Sequence, residues 1–400
     1  MSGGALSHLK VLDLSRVLAG PWATQLLGDL GAEVIKVERP GAGDDTRAWG
    51  PPWFEGGPDG KRREAAYYLA TNRNKRSVAI DITHPEGQAL VRELACEADV
   101  LVENYKVGGL AKYGLDYASL RTVNPRLVYC SITGFGQDGP YAERPGYDFL
   151  LQAMGGLMSI TGEPDGPPQK VGVALTDILT GLYATVGILA ALAHCERTGE
   201  GQHIDLALLD VQVACLANQA MNYLVSGTAP QRMGNAHPNI VPYQAFPTAD
   251  GDMVLTIGND RQWAAFCRLA GKPEWASDER FATNAARVAY RQTLIPLLRQ
   301  TTVMKTTDEW VAALEEAGVP GGPINDLARV FADPQIVHRG MRTEIDGIPQ
   351  VANPLHLSAT PPAYRKAPPA VGEDTETVLG ALTGMSAERL AALRAGGVTG

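Results

Sequence analysis

Several features that define whole protein classes are missing from this chain. No run of about 18 or more apolar residues stands in its 400 residues, so no membrane span is expected. Cysteines number only five, an odd count, and none pairs with another at metal-ligand spacing. The expectation is therefore reduced thiols in a cytoplasmic protein, with no disulfide framework and no metal site. The first residues, MSGGALSHLKVLDLS, lack a cationic stretch followed by a long apolar core, so no signal peptide is expected. Positive charge is in deficit: 35 Lys and Arg against 44 Asp and Glu give a net charge of -9. That excludes a general binder of nucleic acid or anionic membrane, and leaves room for a local basic patch. There is no G-x-S-x-G elbow, no H-E-x-x-H and no Walker loop, so neither metal hydrolysis nor ATP chemistry is supported.

What is present is the material of a large folded protein. Apolar residues make up 45% and charged residues 20%, enough to bury a core, and 400 residues exceed one compact core. The first 135 residues alternate strand and helix signals. LKVLDL (9–14) reads as a buried strand, Pro21 to Leu30 as a helix ended by Gly31, and EVIKVE (33–38) as the next strand, one βαβ unit. Strands are expected again at 77–82, 99–105 and 127–133, with Thr83 and Glu86 forming a capping box before a helix through Cys96. This alternation predicts an α/β fold with a largely parallel sheet covered by helices. A Gly/Pro/Trp-rich loop at 41–60 is too long for a simple connector. Residues 177–197 and 209–225 read as helices around a strand at 203–207. After Gly227 the character changes, to a hairpin around Asp250-Gly251 and helices near 262–270, 285–300 and 307–317. The expected division is a large domain over 1–227, a small one over 228–330 and a return segment over 331–400.

Individual motifs are weaker than this organisation. Gly134, Gly136 and Gly139 spell the dinucleotide fingerprint after a strand, yet Pro140, Pro145 and Gly146 forbid the helix it requires. The plainer reading is a glycine loop admitting close backbone approach. The first βα loop, Ser15 to Pro21, lies where open α/β sheets bind ligands. Lys36, Arg39, Lys75 and Arg76 near strand ends are solvated charges singly, and a cradle for a phosphorylated cofactor jointly. Thr176 or Asp177 suits an N-cap. Alternatively, an Asp177 held at a helix start is a rigid carboxylate fit to attack a carbonyl. His237 is either a general base or a hydrogen-bonding loop residue.

Several stretches together carry a resemblance: RVLAGPWATQLLGDLGAEVIKVERPGAGDDTR (16–47), NRNKRSVAIDI (72–82), DVLVENYKVGGLAKYGLDY (99–117), SITGFGQDGPYAERPGYD (131–148), VGVALTDILTGLYA (171–184), HPNIVPYQAF (237–246) and GVPGGPIND (318–326). In these the chain resembles the class III CoA-transferases over nearly its whole length. The resemblance implies a Rossmann-like large domain built from both chain ends, a smaller α+β domain, and two subunits interlocked as a homodimer. It places the nucleophile on Asp177, coenzyme A contacts on Arg39, Lys75, Asn104 and Lys112 (the last commonly arginine in the family), and an active-site tyrosine on Tyr147. Asp374 stands where relatives carry histidine. The region Gly258 to Trp263 lacks the polyglycine loop of formyl-CoA transferases, which disfavours a formyl or oxalate enzyme.

The implied reaction passes CoA from an acyl-CoA donor to a carboxylic acid through a mixed anhydride and an aspartyl-CoA thioester. Coenzyme A enters as substrate, and no permanent cofactor is expected. Backbone amides of the 134–139 or 258–260 loops are the expected oxyanion donors. For a dicarboxylic acceptor the second carboxylate needs a cation, for which Arg47 is the candidate and His237 the next, the plainer reading of Arg47 being that it pairs with Asp44 or Asp45 and only shapes the loop. A 2-methylacyl-CoA racemase is the nearest alternative. It needs a proton-transfer pair, and Tyr147 stands where racemases carry a histidine. A non-catalytic CoA-binding subunit is the alternative from another class.

Overall fold

The computed structural model describes residues 3–56 and 62–400, so residues 57–60 of the expected 41–60 loop lie outside the described residues. The chain divides into two compact units. The first comprises Met1–Leu157, Val171–Met221 and Pro334–Gly400, and the second Met158–Lys170 and Asn222–Asp333.

The first unit is built on a six-stranded parallel sheet. Its strands are β1 (Lys10–Asp13), β2 (Glu33–Glu38), β3 (Lys75–Ala79), β4 (Val100–Glu103), β5 (Val128–Thr133) and β6 (His203–Ala207), in the order β3-β2-β1-β4-β5-β6. Every pairing is parallel. Strands buried on both faces read as continuous apolar runs, and alternate residues serve opposite faces. Leu12, Ile35, Val37 and Val78 join one core with Leu90, Val91 and Leu94 of helix α2 (Pro85–Cys96). Val11, Val34, Val100 and Val128 join the other with α1 (Ala19–Asp29) and α4 (Leu175–Thr198). Each such side chain contributes roughly 1.5–3 kcal/mol. The returning chain end closes the first core with Val378, Leu379 and Leu393.

Strand order reverses between β1 and β4. Loops leaving those two strands diverge to opposite faces and open a crevice at their carboxyl ends, where open α/β sheets take ligands. Helix α3 (Asp148–Met154) follows β5 and lies beside the start of α4.

Local details depart from expectation. The capping box at Thr83 does not form: His84 is the N-cap, accepting from the Glu86 amide, with Pro85 opening the helix, while Thr83 bonds Asp81. Gly134 lies so close to Gly146 that a Cβ on it would be 2.6 Å from the Gly146 Cα. The glycine loop thus packs on its own chain. Among the described residues one helix, α4, is long and apolar enough to cross a membrane.

The second unit has its own core, with Phe246, Met253, Trp263, Phe266, Leu294 and Trp310 buried. Its three-stranded antiparallel sheet includes the expected hairpin, Tyr243–Pro247 with Asp252–Thr256.

Candidate active site

Two adjoining cavities open at the crevice. One, of about 390 Å³, is lined by Arg39, Thr83, Lys106 and Lys112 among others. The other, of about 230 Å³, is lined by Val17, Asn104, Thr133, Arg144, Tyr147 and Asp177. Arg16, Asp45, Tyr105 and Lys106 line both, so the two are neighbours. The first, termed the outer cavity, offers exposed cations, and the second, termed the inner cavity, is lined by a carboxyl group.

That carboxyl is Asp177, in the first turn of α4. The helix starts at Leu175 rather than Ile178, and its N-cap, Ala174, has no capping side chain. Asp177 is therefore not a cap. The cap comes from Asp148 of α3, whose Oδ1 accepts from the amides of Thr176 at 2.8 Å and Asp177 at 3.4 Å. Asp148 Oδ2 accepts from Gln152 Nε2 at 2.7 Å. The hydroxyl of Thr176 donates to Gln212 at 2.7 Å, fixing the same turn from the other side. Burial, and after it the like charge of Asp148, pushes the Asp177 pKa up to about 7. The Tyr67 hydroxyl is pushed up to about 12, by burial first and then by the charges of Asp177, Asp148 and Asp44. Trp49 meets the Tyr67 ring edge-on, with centroids 5.2 Å apart.

Around these cavities the expected residues sort into two groups. Arg39 and Lys112 are exposed on the outer cavity, Lys112 with its ammonium 4.7 Å from the centre of the Tyr113 ring. Asn104 lines the inner cavity and holds the first βα loop: Arg16 N donates to its Oδ1 at 2.9 Å, and its Nδ2 donates to Arg16 O at 2.6 Å. Tyr147, 66% exposed, lines the inner cavity beside Gly146.

Lys75 and Arg47 are placed otherwise. Lys75 is fully buried, and its ammonium donates to Asp13, the Pro21 carbonyl and Asn72, each at 3.0 Å. With three donors satisfied inside the fold it has none for coenzyme A. The chain beyond β3, Ile80 to Thr83, lines the outer cavity instead. Arg47 has a side chain only 7% exposed. It bonds Glu38 (2.7 Å), Glu64 (2.6 Å), the Tyr68 hydroxyl (2.6 Å) and the Pro369 carbonyl (3.0 Å). Its fork is filled from within, so it shapes the loop rather than gripping an acid. His237 belongs to the second unit, where its Nδ1 accepts from the Asn239 amide at 3.1 Å. Burial, then the nearby Arg291 guanidinium, holds its pKa below the usual histidine value.

Three of the expected oxyanion amides are engaged within the fold. Gly136 N donates to Thr133 Oγ1 (2.9 Å), Gln137 N to Asp205 (3.0 Å), and Gly258 N to Gln262 (2.9 Å). By contrast α1 begins with no capping side chain and no acidic residue in its first turn, and Leu18 and Ala19 line the inner cavity. Arg16, Tyr67, Lys106, Arg144 and Asp148 were not singled out by sequence reasoning. For Arg16 and Lys106 the signal was available, since each stands in the loop after a strand at the switch point.

Known proteins resemble this chain over almost its whole length. The sequence model of CoA-transferase family III matches residues 6–375. A succinate–glutarate CoA-transferase of Agrobacterium fabrum is 55% identical over 94% of this chain and 95% of its own. The human succinyl-CoA:glutarate CoA-transferase is 47% identical over 94% of this chain and 85% of its own. A crystal structure of a CAIB/BAIF family protein from Brucella suis superposes with a TM-score of 0.86 at 53% identity, covering 95% of this chain and all of that one.

Proposed function

The chain belongs to CoA-transferase family III and is an enzyme that transfers coenzyme A, and from that premise we propose that it carries CoA from succinyl-CoA to glutarate with Asp177 as nucleophile. The observation that carries this reading is that Asp177 lines one of two adjoining cavities and the exposed cations Arg39, Lys106 and Lys112 line the other. Arg39, Lys106 and Lys112 suit the phosphates of coenzyme A, and the pantetheine arm then runs inward past Arg16 and Tyr105.

The proposed chemistry proceeds in balanced steps. The ionised Asp177 carboxylate attacks the thioester carbonyl and expels CoA thiolate, leaving a mixed anhydride. The thiolate attacks the Asp177 carbonyl of that anhydride, releasing the donor acid and forming aspartyl-CoA thioester. The acceptor carboxylate attacks this thioester, expelling thiolate and forming a second anhydride. Thiolate attack on the acceptor's carbonyl then gives the new acyl-CoA and frees Asp177. Each tetrahedral intermediate carries an oxyanion, and the uncapped first amides of α1 are the donors best disposed to meet it. The anhydrides are hydrolytically fragile, so the reaction requires that water be excluded from them.

The large unit reads as a Rossmann-like CoA-binding domain, and the enzyme as a cytoplasmic, interlocked homodimer. Supporting the dimer, α4 leaves Leu182, Tyr183, Val186 and Leu189 exposed, an apolar stripe on a core helix. Sedimentation at falling concentration tests it: a folded monomer contradicts interlocking.

The decisive experiment mixes succinyl-CoA with protein and reads the intact mass. An adduct on Asp177, lost in Asp177→Ala while CoA still binds, is the expected result. Turnover by Asp177→Ala within about tenfold of wild type overturns the assignment, because losing a covalent nucleophile costs several kcal/mol.

A further inference from the structure

The turn between β1 and α1 is held almost entirely by buried side chains. Val17 lies there at φ 73°, in the left-handed region that a β-branched residue rarely adopts. Such strain persists only where the surroundings over-determine it. Here they do. Ser15 N donates to Asp13 at 3.0 Å, and Lys36 Nζ donates to Ser15 O at 2.8 Å. Asn104 takes both backbone groups of Arg16. Val17 N donates to Asp44 Oδ1 at 3.3 Å.

Beneath the turn Lys36 and Asp44 form an ion pair at 3.0 Å with both side chains fully buried. Asp44 also receives the Thr46 amide (3.0 Å) and hydroxyl (2.8 Å). A second buried pair, Lys75 with Asp13 at 3.0 Å, lies alongside. Such pairs gain little net stability over apolar packing, so their presence calls for a different reason. The turn they hold supplies that reason: Arg16 lines both cavities, and Val17, Leu18 and Ala19 line the one that contains Asp177.

We propose that the Lys36–Asp44 pair is a positioning element for transfer, holding the Ser15–Leu18 turn in its strained form so that the wall facing Asp177 is set before the thioester arrives. The proposal rests on Asp177 being the reacting carboxylate.

Two double variants test it, because each removes both charges and leaves no buried ion unpaired. Lys36→Met/Asp44→Leu also removes the acceptor for the Val17 amide, whereas Lys36→Met/Asp44→Asn retains one. The leucine variant leaves the Val17 and Thr46 amides without their acceptor and should unfold at a lower midpoint than wild type, and the asparagine variant, which loses only the Lys36 donor to Ser15 O, should unfold closer to it. In the leucine variant kcat should fall about a hundredfold with KM for succinyl-CoA within about threefold, and the asparagine variant should recover about tenfold of that loss. If the leucine variant does not fold, the asparagine variant still must show a kcat about tenfold below wild type at unchanged KM. Full kcat in the asparagine variant, or a loss confined to KM, overturns the proposal. Asp177→Ala measured in parallel separates the two readings: an active Asp177→Ala removes the premise, while an inactive one beside fully active double variants removes the positioning role alone.

Discussion

The Asp148 carboxylate accepts the backbone amide of Asp177 at 3.4 Å, so one carboxylate caps the helix turn that carries another. The cap fixes the backbone of the proposed nucleophile, and its charge adds to burial in raising the Asp177 pKa to about 7. Only the ionised carboxylate attacks, so kcat/KM for the acyl-CoA should rise with pH along a limb centred near 7. Asp148→Asn keeps a cap oxygen and removes the like charge, and should move that limb to lower pH. Glu103, also pushed by burial to about 7, is a possible confounder. A limb that follows Glu103→Gln instead of Asp148→Asn assigns it elsewhere.

The same shift has a consequence for stability. Asp177 ionises near its ordinary 3.8 when unfolded and near 7 when folded. Between those values the native protein retains a proton that the unfolded chain has released. Its contribution to stability therefore declines as pH rises from 4 to 7 and is level above. Asp177→Asn lacks this decline, and should gain on wild type by roughly 2–4 kcal/mol between pH 4 and pH 8. Unfolding midpoints at both pH values check it. A difference independent of pH means that Asp177 is not raised.

Arg39 and Lys75, both assigned to coenzyme A by resemblance, should behave differently. Arg39→Met and Lys112→Met remove exposed cations from the outer cavity, and should each raise KM for acyl-CoA about tenfold, an effect that fades with added salt. Lys75→Met leaves Asp13 buried without its partner, and should cost about 3–5 kcal/mol of stability. Asp13 itself, against the pull of burial, is held down at about 2 by Lys75 and Lys36 and by hydrogen bonds from Ser15 and Thr24. A stable Lys75→Met with raised KM reverses the assignment.

That contrast marks what the sequence made legible. The parallel strands were visible because both faces are buried, and β2 appears at the expected Glu33–Glu38. Asp177 was visible through a long helix and a family pattern. The side on which a charge lies was harder to read. Lys75 and Arg76 are neighbours in one strand, so one turns inward to Asp13 and the other outward to Glu33. Parity along β3 decides this, once its register on β2 is known. The Asp148 cap was hidden because it spans 29 residues and depends on how α3 meets α4. Arg47 was misread for a similar reason: its partners Glu38 and Glu64 come from separate strands.

On the proposed transfer to glutarate, the acceptor's distal carboxylate requires a cation in the inner cavity, since a carboxylate buried without a partner is costly. Arg47 does not meet the need. Arg47→Met should strip Glu38 and Glu64 of their counter-charge and weaken the fold, lowering turnover with glutarate and with a monocarboxylate of similar length alike. Three cationic side chains line the cavity that contains Asp177: Arg16, Lys106 and Arg144. Arg16 is paired with Asp45 at 3.3 Å and lies 5.0 Å from the centre of the Tyr105 ring. Lys106 is shared with the outer cavity, to which the proposal assigns the CoA phosphates. Arg144 lines the inner cavity alone of the two, with its guanidinium 3.9 Å from the Tyr141 ring centre. A guanidinium can grip a carboxylate through two parallel hydrogen bonds. Arg144→Met should therefore raise KM for glutarate about tenfold or more while changing KM for valerate little. Arg144→Lys keeps the charge without the fork, and should recover only part of the loss. Equal losses with both acceptors move the clamp to Lys106, whose methionine variant is then expected to discriminate between them.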